Sequence, residues 1–310
     1  MDHQSFESEM SKILGYDFNL KLNPDPDPNP DPNGDREEIL DLKKVTQNGF
    51  ALKHVEVQTE KVCIVAVKYN GHILKMVKDQ TEAICLTAVK QNVFAFQWVE
   101  EEYQTEAVCL AAVAIDGLAL QYVRDQTEIV CIAAVQENGY ALESVKDQNL
   151  EICMAAVKQK GIALKYVKTQ TPEICMAAVK RDGLALQYVK IQTDAICIAA
   201  VIQNNWALQW VVDQTEEMCL VAVKQNGWAL RWADAQTEEI CIVAVSQNGL
   251  VLQWVQDQTE KICIAAVTED GFVLQLVQVQ TPEICLAAVT QNKDAVQYVD
   301  LYDYRKRRIV

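Results

Sequence analysis

The chain is written in one short period, and that period limits its fold more than any other feature. Gln-Thr stands at Gln58-Thr59, Gln80-Thr81, Gln104-Thr105 and Gln126-Thr127, as Gln148-Asn149, and again at Gln170, Gln192, Gln214, Gln236, Gln258 and Gln280, each followed by Thr. The spacing is 22 residues, except for 24 between Gln80 and Gln104, where Glu100-Glu101-Glu102-Tyr103 holds the surplus. A degenerate unit from about Arg36 precedes Gln58, so twelve units start near 36, 58, 80, 104, 126, 148, 170, 192, 214, 236, 258 and 280. A unit this short cannot bury an apolar face alone. It needs neighbours, so the predicted object is a stacked array rather than a globule.

Each unit reads as two short helices. In the Gln236 unit, Thr237 is an expected N-cap, whose hydroxyl accepts from a first-turn amide. Acidic residues, or Pro172 and Pro282, follow the cap, as suits the positive end and first position of a helix. The first helix should run to about Gln247 and stop at Asn248-Gly249, read as a left-handed C-cap. A second helix of barely two turns follows, from about Leu250 to Gln256. Nine of the 11 glycines share the column after that Asn, with Asn205, Val93 and Lys293 in the remaining regular units. Asn205 is read as another residue that tolerates positive φ. An alanine column, beginning at Ala66, Ala88, Ala112 and Ala134, favours helix over strand. The expected fold is therefore all-α, an α-solenoid of about twelve helix-turn-helix repeats. The alternative is a β-solenoid or leucine-rich-type repeat, because Ile240 to Val245 could be a buried strand by pattern alone.

Ile240, Cys241, Ala244 and Val245 of the first helix, with Leu252 and Val255 of the second, are the predicted core face. The end units read as polar caps: Asp41 replaces the column Cys, Lys44 the column Ala, and Asp294 an apolar or aromatic residue. Around the array at 36–301 lie a leader at 1–22, a Pro/Asp-rich spacer at 23–35 and a basic tail at 302–310. In the leader, Phe6, Met10, Ile13 and Leu14 suggest a short amphipathic helix. Five prolines within nine residues of the spacer preclude helix and point to a stiff polyproline-type segment. A calcium loop over Asn29, Asp31, Asn33, Gly34 and Asp35 lacks its closing Glu, because Leu40 stands there. The tail run Arg305-Lys306-Arg307-Arg308 reads as a solvated end.

The unit core Ile-Cys-Leu-Ala-Ala-Val-x-x-Asn-Gly-x-Ala-Leu-x-Tyr-Val, as in 174–189 and 284–299, resembles the family called domain of unknown function 4116. The resemblance spans roughly residues 36–301. It implies short helical repeats and an origin in giant viruses of amoebae or in amoeba-infecting bacteria. It brings no catalytic residues. The regular Cys and Gln-Thr columns are this chain's departures.

Several functions are disfavoured by composition. The net charge of −15 argues against nucleic acid. No apolar run is long enough for a membrane span, and no basic-then-apolar signal opens the chain. Three histidines, no phosphate loop and no nucleophile-elbow motif argue against an enzyme and against any cofactor. All 11 cysteines, from Cys63 to Cys285, fall in one column without the close pairs a zinc site needs. Their expected spacing is also too wide for disulfides. They are read as small buried hydrophobes in a reducing, intracellular setting.

All six tryptophans lie in the second helices: Trp98, Trp206, Trp210, Trp228, Trp232 and Trp254. Read at helical spacing, Trp206/Trp210 and Trp228/Trp232 share a face. Gln209, Arg231 and Gln253 lie beside them. Filling the seam between second helices is the structural alternative for these rings. The functional expectation is a non-enzymatic scaffold that binds a protein partner, or itself, through Trp206, Trp210, Trp228, Trp232, Trp254, Gln209, Arg231 and Gln253. The runner-up is a structural component of a larger assembly such as a virion. A cysteine-based metal or redox store is the third.

Overall fold

The computed structural model describes residues 34–300. The leader, the spacer up to Asn33 and the basic tail lie outside them, and with them the amphipathic-helix reading and most of the calcium-loop reading. Gly34 and Asp35, assigned from sequence to the spacer, open the first helix, Gly34–Gln47. The chain is an all-α solenoid. Among the described residues there are twelve α-helices, each followed by a six-residue 3-10 helix, and no strand. Each α-helix packs on the next α-helix and each 3-10 helix on the next 3-10 helix, so contacts run between neighbours along the stack.

The first helices follow the sequence signals. Those of the eleven regular units have ten residues each, as in Glu238–Gln247 or Pro282–Gln291. Nine of the ten Thr caps accept from the amide three residues on, as Thr59 does from Val62 and Thr281 from Ile284, and Asn149 does the same from Ile152. Thr237 is the exception. Its hydroxyl is buried without a partner, and nothing in the structure explains this. The predicted core columns are all buried, from Val62, Cys63, Ala66 and Val67 to Ile262, Cys263, Ala266 and Val267.

The second helices differ from expectation. They are 3-10 helices such as Gly249–Trp254. Asn248 is not a left-handed C-cap. It is extended, at φ −159° and ψ 110°, and its side chain accepts from the Leu250 amide. One residue thus closes the α-helix and opens the 3-10 helix. Asn or Asp fills this role in eleven of twelve units, and only Lys160 lacks the capping bond. With one residue between the two helices, no room is left for a left-handed turn, and the tighter 3-10 winding stretches six residues across the width of the array.

The glycine column therefore has another cause. None of its members has left-handed φ. A Cβ at Gly139 would lie 2.8 Å from the Ala156 carbonyl oxygen of the next unit, and one at Gly271 would lie 2.6 Å from that of Ala288. Glycine is there so that one unit's backbone can touch the next. The reading of Asn205 by its φ tolerance is corrected with it. Asn205 is buried at the same place in its own unit, and its backbone there is part of the 3-10 helix Asn205–Trp210.

The last described unit differs from the inner ones. Lys293 stands in the glycine column and brings a Cβ where each inner unit with glycine has none. The outer face is not wholly polar, as Asp294 had suggested: Leu286 is 70% and Val296 62% exposed. Val296 occupies a column whose eleven other members, from Leu52 to Leu274, are fully buried by the unit that follows.

Candidate functional site

Two arrangements stand out, one repeated at every junction and one local. The repeated one is built on the column Gln that marks the period. Gln148 donates from Nε2 to the carbonyls of Leu142 in the preceding unit (3.3 Å) and Tyr166 in its own (3.0 Å). Its Oε1 accepts from the Lys168 amide at 2.9 Å. The Oε1 bond recurs at all eleven column glutamines, from Gln58–Lys78 to Gln280–Asp300. A buried carbonyl or amide without a partner is costly, so each Gln closes a gap that the 3-10 segment leaves open. The thiol beside it is also oriented: Cys85 Sγ donates to Gln80 Oε1 at 3.2 Å and Cys219 to Gln214 at 3.2 Å. Sequence reasoning used this Gln as a landmark and assigned it no task. Its recurrence at the end of every 3-10 segment was the available signal.

Two further ladders run beside it. The column glycine amide donates to a Gln or Glu twenty residues on, as Gly139 does to Gln159 Oε1 at 2.9 Å and Gly249 to Glu269 Oε2 at 2.8 Å. Cap hydroxyls donate back to the first-turn Glu of the preceding unit, as Thr81 does to Glu60 at 2.6 Å and Thr281 to Glu260 at 2.6 Å. The acidic residues at helix starts therefore join units as well as complementing the helix dipole.

The cysteines are buried and free, as read from sequence. Burial pushes the Cys63, Cys109, Cys197, Cys241 and Cys263 thiols up to about 11 and Cys85 to about 12. A thiol held neutral in this way is a poor nucleophile and a poor metal ligand. Among the described residues, no group of three or more His, Cys, Asp or Glu side chains is arranged to hold a metal.

The local arrangement is the tryptophan cluster of the Gln192, Gln214 and Gln236 units. It is assembled differently from the predicted pairs. A 3-10 helix turns every three residues, so residues four apart do not share a face. Trp206 instead meets Trp232 of the next unit, with ring centroids 4.5 Å apart and planes tilted by 60°. The same offset of one unit pairs Tyr140 with Tyr166 at 6.2 Å and Phe272 with Tyr298 at 6.0 Å. The Arg231 guanidinium lies over both the Trp232 and Trp254 rings, 5.6 Å and 4.9 Å from their centroids, within cation–π reach of each. Gln209, Arg231, Trp232 and Trp254 line one shallow groove, together with Asp234 and Gln256. Trp206 and Trp210 are exposed, whereas Trp228, Trp232 and Trp254 are half-buried. Trp206, Trp210, Trp228 and Gln253 do not line the groove, and Trp98 is remote in the chain. The Trp254 Nε1 donor is buried without a partner, in the same unit as the uncapped Thr237.

Sequence reasoning missed a second property of this region. Ile202 and Val212 are 58% and 75% exposed, in columns where the other regular units carry mostly polar residues, and Ile191 just before Gln192 is 80% exposed. Comparing the surface columns unit by unit would have found them.

Residues 149–192 match the family described as Domain of unknown function (DUF4116). The match covers the Gln148 and Gln170 units almost entirely, so the resemblance read from the repeat core holds there. No curated protein and no solved structure matches the chain. The DUF4116 segment ends where the Gln192 unit begins, so the cluster lies just beyond it. A helical repeat array with a domain of unknown function fits a non-enzymatic scaffold in general terms.

Proposed function

We propose that this chain is a non-enzymatic scaffold that binds a protein partner along the Trp206–Trp254 face. The observation that carries this reading is Arg231, over the Trp232 and Trp254 rings, with the exposed Trp206 against Trp232. Aromatic and arginine side chains that are already ordered lose little freedom on binding, and they dominate interface energies. Exposed Ile202 and Val212 add apolar surface to the Gln192 unit, and exposed Ile191 adjoins it, where an array without a partner would keep polar residues. Free thiols along the whole array support a reducing compartment for this work.

Affinity purification from the native cell with the wild-type chain and the Trp206→Ala/Arg231→Ala variant tests the proposal. The partner should be lost from the variant while far-ultraviolet circular dichroism is unchanged. Equal recovery by both chains overturns it.

A further inference from the structure

The last described unit leaves open a surface that every other unit buries. No described element follows Pro282–Gln291 and Lys293–Tyr298. Val296 stands exposed in a column that is otherwise fully buried, and Leu286 in one that is otherwise buried or half-buried. Val289 and Val299 are half-buried in columns that are buried in every other unit. These are the side chains that the following unit covers at an inner junction. Apolar surface left open in this way gains from any cover that removes it from water.

The chain itself arrives at this face. The Asp300 amide donates to Gln280 Oε1 at 2.9 Å, as the Gln278 amide does to Gln258 Oε1 at 2.9 Å. From Gln278 the chain runs on into Pro282–Gln291, the helix that packs on the unit before it. From Asp300, held by the same bond, it runs on into Leu301-Tyr302-Asp303-Tyr304, with three apolar or aromatic side chains in four residues. This tail does not repeat the unit. Lys306 and Arg307 fall in the columns of the buried Ile284 and Cys285. Charge agrees with a contact between the two: the last unit bears Glu283, Asp294 and Asp300 against Lys293, and the tail bears Arg305, Lys306, Arg307 and Arg308 against Asp303. Shape disfavours a second copy stacked in the register of the inner junctions. At each of the nine column glycines an added Cβ would lie under 3.0 Å from the next unit's carbonyl oxygen, and Lys293 brings that Cβ. We propose that residues 301–304 fold back over Leu286, Val289, Val296 and Val299, so that the chain covers the end of its own array.

The test puts a reporter on the face. In the full chain carrying Val296→Cys, alkylation of the new thiol by iodoacetamide is followed by peptide mass spectrometry, which separates it from the buried native thiols. The reaction should be at least tenfold slower than in the same chain with Leu301→Ser, Tyr302→Ser and Tyr304→Ser, at every protein concentration. A second measurement leaves the array unaltered. The three serine changes alone should speed amide hydrogen exchange in helix 282–291 at least tenfold and leave helix 128–137 as it was. Equal alkylation with either tail overturns the inference, as does unchanged exchange in 282–291. Protection of Val296→Cys that grows with protein concentration also overturns it, because the cover is then a second copy.

Discussion

The Gln126–Gln148 junction and the Gln80–Gln104 junction join equivalent units with different parts. At the first, Gly139 admits the Ala156 carbonyl, its amide bonds Gln159, and Gln148 bridges three backbone groups. At the second, Val93 stands in the glycine column, and Ile115 has replaced the side chain that would accept its amide. Here alone the preceding 3-10 helix, Val93–Trp98, only grazes the next unit's α-helix, Glu106–Ile115. The surplus is taken up in a short 3-10 turn, Glu101–Tyr103, and Tyr103 and Val93 each pack against the core. Gln104 keeps its bond to the Arg124 amide, but its Nε2 reaches only the Val99 carbonyl at 3.5 Å. The cap bond from Thr105 to Glu82 survives at 2.8 Å. The lesson is that the α-helical side holds the stack in register. The 3-10 side can open around one bulky residue if extra chain is supplied to fill the gap.

The sharpest way to break this comparison is to put valine where close approach is needed. Gly139→Val should destabilise its junction by about 3 kcal/mol, because the neighbour is a backbone oxygen that cannot turn aside. Amide hydrogen exchange in helices 128–137 and 150–159 should report it, since a long array need not unfold in one step. Equal protection in variant and wild type would mean that the glycine column is not a contact device. Next in size, deleting Glu101 and Glu102 should cost about 2 kcal/mol by forcing Val93 onto the following unit. Adding Val93→Gly should recover at least half of that. Strict additivity of the two changes in a double-mutant cycle would show that the valine and the insertion are unrelated.

A smaller effect separates the two bridging glutamines. Gln148→Leu strands two carbonyls and an amide and should cost about 2 kcal/mol, against about 1 for Gln104→Leu. Urea titrations of the two variants that gave the same shift would remove the distinction. The smallest difference is among the thiols. Cys63 and Cys109, pushed up to about 11 from 9.0, should react with iodoacetamide at pH 8 about 100-fold more slowly than in urea. Cys85, at about 12, should lag further. The sign for stability follows from the raised values. These thiols support the fold fully below the ordinary thiol range, and that support is lost as pH climbs from about 9 toward 11 and 12. A urea midpoint that held steady from pH 8 to pH 11 would contradict the burial.

Much of the architecture was legible because it is local or periodic. Thr caps, acidic first turns, alanine and the apolar columns each mark an α-helix without reference to a neighbour, and they located ten-residue helices to within a residue or so. The second helix was legible as an element and misread in kind. Asn248 caps forward onto Leu250, and six residues sit between fixed ends, so length and spacing chose the 3-10 form. The aromatic cluster was found by composition and misassembled by assuming an α-helical face. The contact that forms, Trp206 with Trp232, crosses a unit boundary. The Gln column was visible in all eleven regular units, yet the three bonds of Gln148 join segments that only stacking brings together.

The sequence by itself determined the period, the number of units, the first helices and which side chains would be buried, because propensity and repetition act on each unit alone. The tertiary structure decided why the glycines are glycine and which ring meets which. It also decided what the Gln column holds together. Each of these depends on how closely one unit's backbone approaches the next, a distance that no single unit encodes.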